Sequence, residues 1–307
     1  MLLSLLFITV SCIIIWRSSH GFEIASDYLG RKLPPGIKGA TLNAIASSMP
    51  EFLTTIFFLF YLRDAEGFSG GLGVTSGSAL FNLLIIPALA VLMIYSTSKG
   101  AKIILKKQVL LREGIVLLIS QIVFLSLLFM GDLRASHGFI LVIIYIIYLG
   151  LLFLISKRLK TPDPGFESPE YLKPRANWIR FISLNFTPLI LNRKEMNRSK
   201  AWILLGISTL VMTFGTWLLV YATAEFGHET GIPLICVAVV LSAAATSVPD
   251  TIISIKDARK GNYDDALSNA LGSNIFDIAF ALGLPILLYN LIYGNTMILN
   301  SEVLAFT

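Results

Sequence analysis

Long apolar blocks alternate along this 307-residue chain with short clusters of Lys, Arg, Gly and Pro. About 20 apolar residues in a helix cross a hydrocarbon layer of about 30 Å. The blocks predict eight such helices, at roughly 2–31, 36–62, 70–96, 108–131, 137–156, 201–226, 232–257 and 265–292. The longest polar stretch, 157–200, holds Pro162, Pro164, Pro169 and Pro174 among many charges. It reads as a linker too short for a sizeable regulatory domain, with Trp178, Ile179, Arg180, Phe181 and Phe186 placed to lie on a membrane surface. Met1–Trp16 has the hydropathy of a signal-peptide core, yet no basic residue precedes it and no small-x-small cleavage site follows. It reads instead as the first half of a membrane helix that stays. The expected fold class is all-α, a polytopic membrane protein.

The blocks also repeat. Ser47, Ser48, Met49, Pro50 and Glu51 close the second span, and Thr246, Ser247, Val248, Pro249 and Asp250 stand in the seventh. Sixteen residues before each of these prolines lies another, Pro34 and Pro233. The third span carries Gly77, Ser78, Ala79, Leu80, Phe81 and Asn82; the eighth carries Gly272, Ser273, Asn274, Ile275, Phe276 and Asp277. The two copies are 195 to 199 residues apart and five spans separate them, an odd number, so their directions through the membrane are opposed. Inverted-topology repeats of this kind place a transport site at the repeat interface near the bilayer midplane. The expected organisation is a first membrane repeat over 1–156 with about five helices, a cytoplasmic linker over 157–200, and a second repeat over 201–307 with about three.

Composition agrees with the membrane class: 55% of residues are hydrophobic, 14% are charged, and the mean hydropathy is +0.76, whereas a soluble domain carries about a quarter charged residues. The net charge of +5 reports topology. With the N-terminus outside, 22 of 24 basic residues fall on the cytoplasmic side, within Arg17–Lys38, Lys99–Arg112, Lys157–Lys200 and Lys256–Lys260; Arg63 and Arg134 lie outside. That asymmetry follows the positive-inside rule, and basic flanks facing anionic lipid replace any nucleic-acid reading. Cys12 and Cys236 are far apart in apolar segments, and His20, His137 and His228 fall near predicted helix ends. Neither a disulfide framework nor a soft-metal site is expected. No ATP-binding motif is present, so the chain is read as no enzyme, and active transport by it would draw on an ion gradient.

The candidate chemistry sits in the repeats. Ser47, Ser48 and Glu51 share a helix face, as do Thr246, Ser247 and Asp250; Ser78 and Asn82, and Ser273 and Asp277, are aligned four apart. Each of four helices thus offers hard oxygen ligands, three with a carboxylate. A carboxylate at the bilayer centre costs at least about 2.5 kcal/mol. No Lys, Arg or His lies in the stripes to pair with these acids, which leaves protonation or bound cations. Hydroxyls, amides and carboxylates suit Ca²⁺, with its six to eight oxygens in flexible geometry, and Na⁺ is of similar radius. Pro50 and Pro249 lack an N–H, which frees carbonyls near Ala46 and Ala245. Single hydroxyls and prolines in membrane helices are often only helix glue and kinks; three unpaired acids at matched places in two copies are not explained that way. Asp64 with Glu66, and Asp264 with Asp265, read as solvated turn and cap residues, and Glu113 as an interfacial pair with Arg112.

Over residues 34–95 and 232–290 the chain resembles the sodium/calcium exchangers of the cation/Ca²⁺ antiporter superfamily, whose alpha-repeats carry a TS-x-PE-like and a GSN-like motif. Residues 77–82, 247–250 and 272–277 resemble the potassium-dependent branch most. The resemblance implies three Na⁺ positions and one Ca²⁺ position in a diamond. Glu51 and Asp250 would be the central Ca²⁺ ligands. Ser47, Ser48, Thr246 and Ser247 would add hydroxyls; Ser78, Asn82, Ser273 and Asp277 would line the cavity; Ala44 and Ala243 would give backbone carbonyls. Asp277 matches the acid tied to K⁺ use, although K⁺-independent exchangers can also have an acid there. Ser47 replaces the usual threonine. The family has ten spans as five plus five; this chain offers eight, with Asn300–Thr307 reading as the start of a ninth, so the second repeat is read as truncated.

The expected function is Na⁺/Ca²⁺ antiport by alternating access in a lipid bilayer, with the long first and sixth spans as sliding gates, Ca²⁺ and Na⁺ as cargo, K⁺ as a candidate co-transported ion, and no cofactor. A Ca²⁺/H⁺ antiporter and, from another class, a cation channel are the rival readings. Oligomeric state is not encoded in any feature of the pattern.

Overall fold

The computed structural model describes residues 1–34, 37–97, 105–158, 190, 196–294 and 296–299. The polar stretch over 159–189, with its aromatic residues, and Asn300–Thr307 lie outside the described residues. Among the described residues ten helices follow in order: α1 (Leu2–Leu29), α2 (Gly39–Ser47), α3 (Met49–Leu62), α4 (Asp64–Ser96), α5 (Lys107–Leu128), α6 (Ala135–Lys157), α7 (Arg198–Thr230), α8 (Leu234–Thr246), α9 (Val248–Arg259) and α10 (Tyr263–Tyr293). Six are long and apolar enough to span a membrane alone, while α2 with α3 and α8 with α9 are bent pairs that each make one span. The chain therefore forms a multi-pass membrane protein of up to eight passages, as the hydropathy predicts. A two-residue strand pair, Asp132–Leu133 with Met297–Ile298, is antiparallel and brings the α5–α6 turn to the end of α10.

The two bends have one cause. Pro50 and Pro249 stand in the first turn of α3 and α9, where the ring is tolerated, and neither has an N–H for the carbonyl four residues back. The axis turns by 48° at Ser48 and by 45° at Ser247. Each of the four spans that hold the repeated motifs also carries a π-helical stretch, at Gly39–Asn43, Phe81–Ile85, Ala238–Ser242 and Asp277–Leu282. Such widened turns put extra carbonyls out of register and recur at functional sites.

Packing is inside-out relative to a soluble protein. Large apolar side chains such as Leu84, Leu92, Leu118, Ile122, Ile147 and Leu210 are exposed, as a lipid-facing surface requires. The polar residues of the repeats are buried between helices. α1 lies along α7, with Gly21 against Ser208 and Leu204, and Gly215 against Ile14 and Ile15. The repeats interlock crosswise: α4 meets α8 through Gly73 and Gly77, and α10 meets α2 through Gly272.

The turns fall into two groups. One end of the bundle brings together Met1 with Glu229, Glu66 with His228, and Arg63 over the Tyr293 ring. The other brings together Lys38 with Asp27 at 2.7 Å and Lys106 with Asp264 at 3.1 Å. Two readings of acids need correction here. Asp64 is not a free turn residue: it accepts from the Tyr289 hydroxyl at 2.6 Å. Asp264 and Asp265 do not cap α10. Asp264 accepts the Lys106 N–H at 2.9 Å, and the buried Asp265 accepts the Gly39 N–H at 3.3 Å, because α2 and α4–α5 crowd the start of α10.

Candidate functional site

All twelve residues singled out in the two repeats line the crossing of the bent spans with α4 and α10, and all twelve are fully buried, Ala44 and Ala243 among them. Ser48 and Ser247 are the residues at the two breaks, with φ and ψ of −91° and 6°, and −82° and 0°. The break turns each following acid, Glu51 and Asp250, toward the opposite repeat. One contact runs between the repeats, Ser247 donating to Glu51 Oε1 at 3.4 Å, and one stays within the second, Ser273 donating to Asp250 Oδ1 at 2.8 Å. Ser47 Oγ lies 3.5 Å from Ser273 Oγ.

The decisive feature is what these acids lack. Glu51 Oε2, Asp250 Oδ2 and both oxygens of Asp277 are buried and accept no hydrogen bond among the described residues. Ser48 Oγ and Asn82 Oδ1 are in the same condition. Asn82 gives its amide N–H to Asn274 Oδ1 at 2.9 Å and to Ser78 Oγ at 3.4 Å, which leaves its own carbonyl oxygen spare. Among the described residues no Lys, Arg or His pairs with Glu51, Asp250 or Asp277. Buried polar atoms without partners are rare because each costs about 1–3 kcal/mol, and more when charged. A cluster of buried carboxylate, amide and hydroxyl oxygens that meets no cationic side chain among the described residues fits a bound cation.

The donor set also limits the ion. Among the described residues, no three His, Cys, Asp or Glu side chains are grouped to hold one metal ion. Any ion here would therefore be shared between one or two carboxylates and neutral hydroxyl, amide or backbone oxygens, a hard-cation environment. The backbone oxygens of Ala44 and Ala243 already accept from Ser48 N at 3.0 Å and Ser247 N at 2.9 Å. A carbonyl oxygen has a second lone pair, so these bonds leave a coordinating position.

Two site residues escaped the sequence reading. Asn269 Nδ2 reaches Asp250 Oδ1 at 3.5 Å, and its carbonyl oxygen accepts from Ser47 Oγ at 3.3 Å. Asn274 holds Asn82. Asn269 lies one helical turn before Ser273, so the 273–277 stripe extends back to it; its counterpart in the first repeat is Val74, which hides it from a symmetry-guided reading. Glu113 is an ion-pair acid with Arg112, as its neighbour suggested, but it is fully buried and also takes the Tyr148 hydroxyl.

Known proteins match this arrangement. The family described as sodium/calcium exchanger protein matches residues 3–154 and 200–307. Mouse sodium/potassium/calcium exchanger 4 is 33% identical over 147 residues, covering 46% of this chain and 24% of the mouse protein. Bovine sodium/potassium/calcium exchanger 1 is 36% identical over 132 residues, covering 42% of this chain and 11% of its own. The chain thus spans less than a quarter of these mammalian relatives. Inner membrane protein YrbG of Escherichia coli K12 is 27% identical over 291 residues, 94% of this chain and 81% of that one. Among solved structures, the H⁺/Ca²⁺ exchanger CAX superposes with a TM-score of 0.75 at 14% identity, over 97% of this chain and 71% of the other. The sodium-calcium exchanger NCX_Mj, soaked with 10 mM Na⁺ and 10 mM Sr²⁺, gives 0.59 at 20% identity, over 99% and 86%. At those identities the structural likeness concerns the fold. With the family match extending over both repeats, this chain belongs to the sodium/calcium exchanger protein family.

Proposed function

We propose that the chain is a secondary active antiporter that exchanges Na⁺ for Ca²⁺ by alternating access, with Glu51 and Asp250 at the centre of the ion site and Asp277 beside them. The observation that carries this reading is the set of unpartnered oxygens on Glu51, Asp250, Asp277, Ser48 and Asn82. Ser47, Ser78, Thr246, Ser247 and Ser273 complete the lining, with the Ala44 and Ala243 carbonyls. One Ca²⁺ or several Na⁺ compensate these charges, but not both at once. An empty cavity leaves carboxylates unpaired at the level of lipid, which opposes reorientation without cargo and couples the two fluxes. K⁺ is a third candidate ion at Asp277. The domain division at 1–156, 157–200 and 201–307 and the placement of the N-terminus outside belong to the same proposal. The basic residues support the placement, since the bundle end holding Lys38, Lys106 and Lys256 is the basic one.

Ca²⁺ uptake into Na⁺-loaded proteoliposomes tests the reading. Uptake that needs the outward Na⁺ gradient supports it, and measurement with and without K⁺ assigns the third ion. Equal uptake without the gradient overturns it; uptake driven by a pH gradient alone identifies a Ca²⁺/H⁺ antiporter, and single-channel currents a channel.

A further inference from the structure

The two repeats match in position but not in chemistry along the way from the ion site to the bundle ends. Offsets of 199 in the bent spans and 195 in their neighbours pair Phe58 with Asp257, Thr55 with Ser254, Val74 with Asn269 and Gly70 with Asp265. Toward the end bearing the α3–α4 turn, the way is filled. Phe58 and Val74 are fully buried and pack with Val220, Leu234 and Ala238. Phe58 lies so close over α4 that a Cβ on Gly70 would fall 2.5 Å from its ring.

Toward the opposite end the matching positions form a polar file. Asn269 Nδ2 reaches Asp250 Oδ1 at 3.5 Å and Ser254 Oγ at 3.1 Å. Ser254 and Asp257 are three apart on α9 and share a face. Asp257 Oδ2 accepts from Asn43 Nδ2 at 3.2 Å. Ser268 Oγ is fully buried beside Asn269 in the chain and has no partner among the described residues. Lys38, bound to Asp27, and Asp265, bound to Gly39 N–H, stand at the same end of the bundle.

Hydrogen bonding between helices could by itself explain any one of these contacts. It does not explain the file, because the first repeat builds the same helix crossing with Phe58, Val74 and Gly70 in place of Asp257, Asn269 and Asp265. Thr55, which matches Ser254, bonds back to its own helix at the Glu51 carbonyl. Polar side chains at membrane depth that the fold does not require mark ion and water routes.

We propose that Asn269, Ser254, Asn43 and Asp257 form the cation access route between Asp250 and the bundle end bearing the α9–α10 turn, with Asp257 as the acid at its mouth. The proposal rests on Asp250 being an ion ligand. The opposite route is closed by Phe58 and Val74 in this conformation. An acid at the mouth of a narrow cleft concentrates cations and speeds their entry.

Single cysteines placed in a Cys12→Ala, Cys236→Ala background test the route. The probe is a membrane-impermeant cationic methanethiosulfonate reagent added to either face of sealed vesicles, with Lys260→Cys as the exposed control on the α9–α10 turn. Asn269→Cys and Ser254→Cys should react from the face that labels Lys260→Cys, and millimolar Ca²⁺ should slow labelling at Asn269→Cys. Val74→Cys, behind the intact Phe58 ring, should stay unlabelled from both faces in the absence of cargo ions. Silence at both Asn269→Cys and Ser254→Cys while the control reacts overturns the route, as does reaction from the other face or labelling at Asn269→Cys that Ca²⁺ leaves unchanged. Asp257→Asn should slow Ca²⁺ entry from this face by roughly three- to tenfold at low ionic strength; an unchanged rate removes Asp257 from the mouth. Labelling requires no transport, so a protected file in a protein without Na⁺-driven exchange keeps the route and rejects Na⁺ as the driving ion.

Discussion

At Gly77 the difference between a hydrogen atom and a methyl group sets how closely the repeats approach. A Cβ there would lie 2.3 Å from the Val239 carbonyl oxygen and 2.4 Å from Ala243 Cβ, whereas at Gly272 the nearest atoms, Ala40 Cα and O, are at 3.0 Å. Gly77→Ala should therefore destabilise the protein by about 1–3 kcal/mol, seen as a lower Tm in detergent, and Gly272→Ala by clearly less; equal effects would mean that α8 moves aside freely. The acids act differently. Glu51→Gln and Asp250→Asn keep size and remove charge, so exchange should disappear from proteoliposomes while protein remains in the membrane. Normal exchange by either variant would exclude that carboxylate as a ligand. Residue types and spacing made Glu51, Asp250, Asp277 and their hydroxyl neighbours legible, because the same letters recur in two places. Asn269 and Asp257 were not legible, because their information lies in where the copies differ, and a difference between repeats has meaning only when the positions are seen to face a common path.

The elements show the same division between what periodicity carries and what it does not. Eight passages follow from apolar length, and the two bends follow from Pro50 and Pro249. The four π-helical stretches have no signature in hydropathy, since a π turn changes hydrogen-bond register without changing which residues are apolar. α4 begins at Asp64, well before the predicted start at 70, because Arg63 and Asp64 make a tight turn with φ of 64° and 42° that Tyr289 holds through two hydrogen bonds to Asp64. Non-glycine residues in that region are uncommon and strained. A tie of another kind joins α1 to α9: Lys256 Nζ bonds both oxygens of Glu23 at 2.9 Å, and His20 Nδ1 lies 3.4 Å from the same carboxylate. α1 lies along α7 and against both bent spans, so if α1 slides as a gate the pair holds it in one position. Glu23→Gln should change turnover more than apparent Ca²⁺ affinity in flux assays; a change confined to affinity would place Glu23 in ion binding instead.

On the scale of the molecule, inverted repeats allow the same crossing to be open at either end, and coupling requires that both are never open together. The plug at Phe58 is one half of that condition. It fills the space above Gly70 and closes with Val74, Leu234, Ala238 and Val220, while the end with Asp257 and Asn43 is polar down to the ion site. Phe58→Ala removes a fully buried ring. The cost to stability is about 3–5 kcal/mol if the space stays empty, so the variant must first be shown to be folded, by elution from a sizing column and retained Tm. In folded Phe58→Ala, water and ions reach the crossing from the α3–α4 end as well whenever the polar route at the other end opens. Ca²⁺ then moves down its gradient without a counter-ion, and efflux from loaded proteoliposomes into Na⁺-free medium rises above that of the parent protein. Phe58→Leu, which keeps most of the apolar volume, should restore dependence on Na⁺. If folded Phe58→Ala stays tightly coupled, the seal lies elsewhere along α3 and α4, and the asymmetry between the repeats serves packing alone.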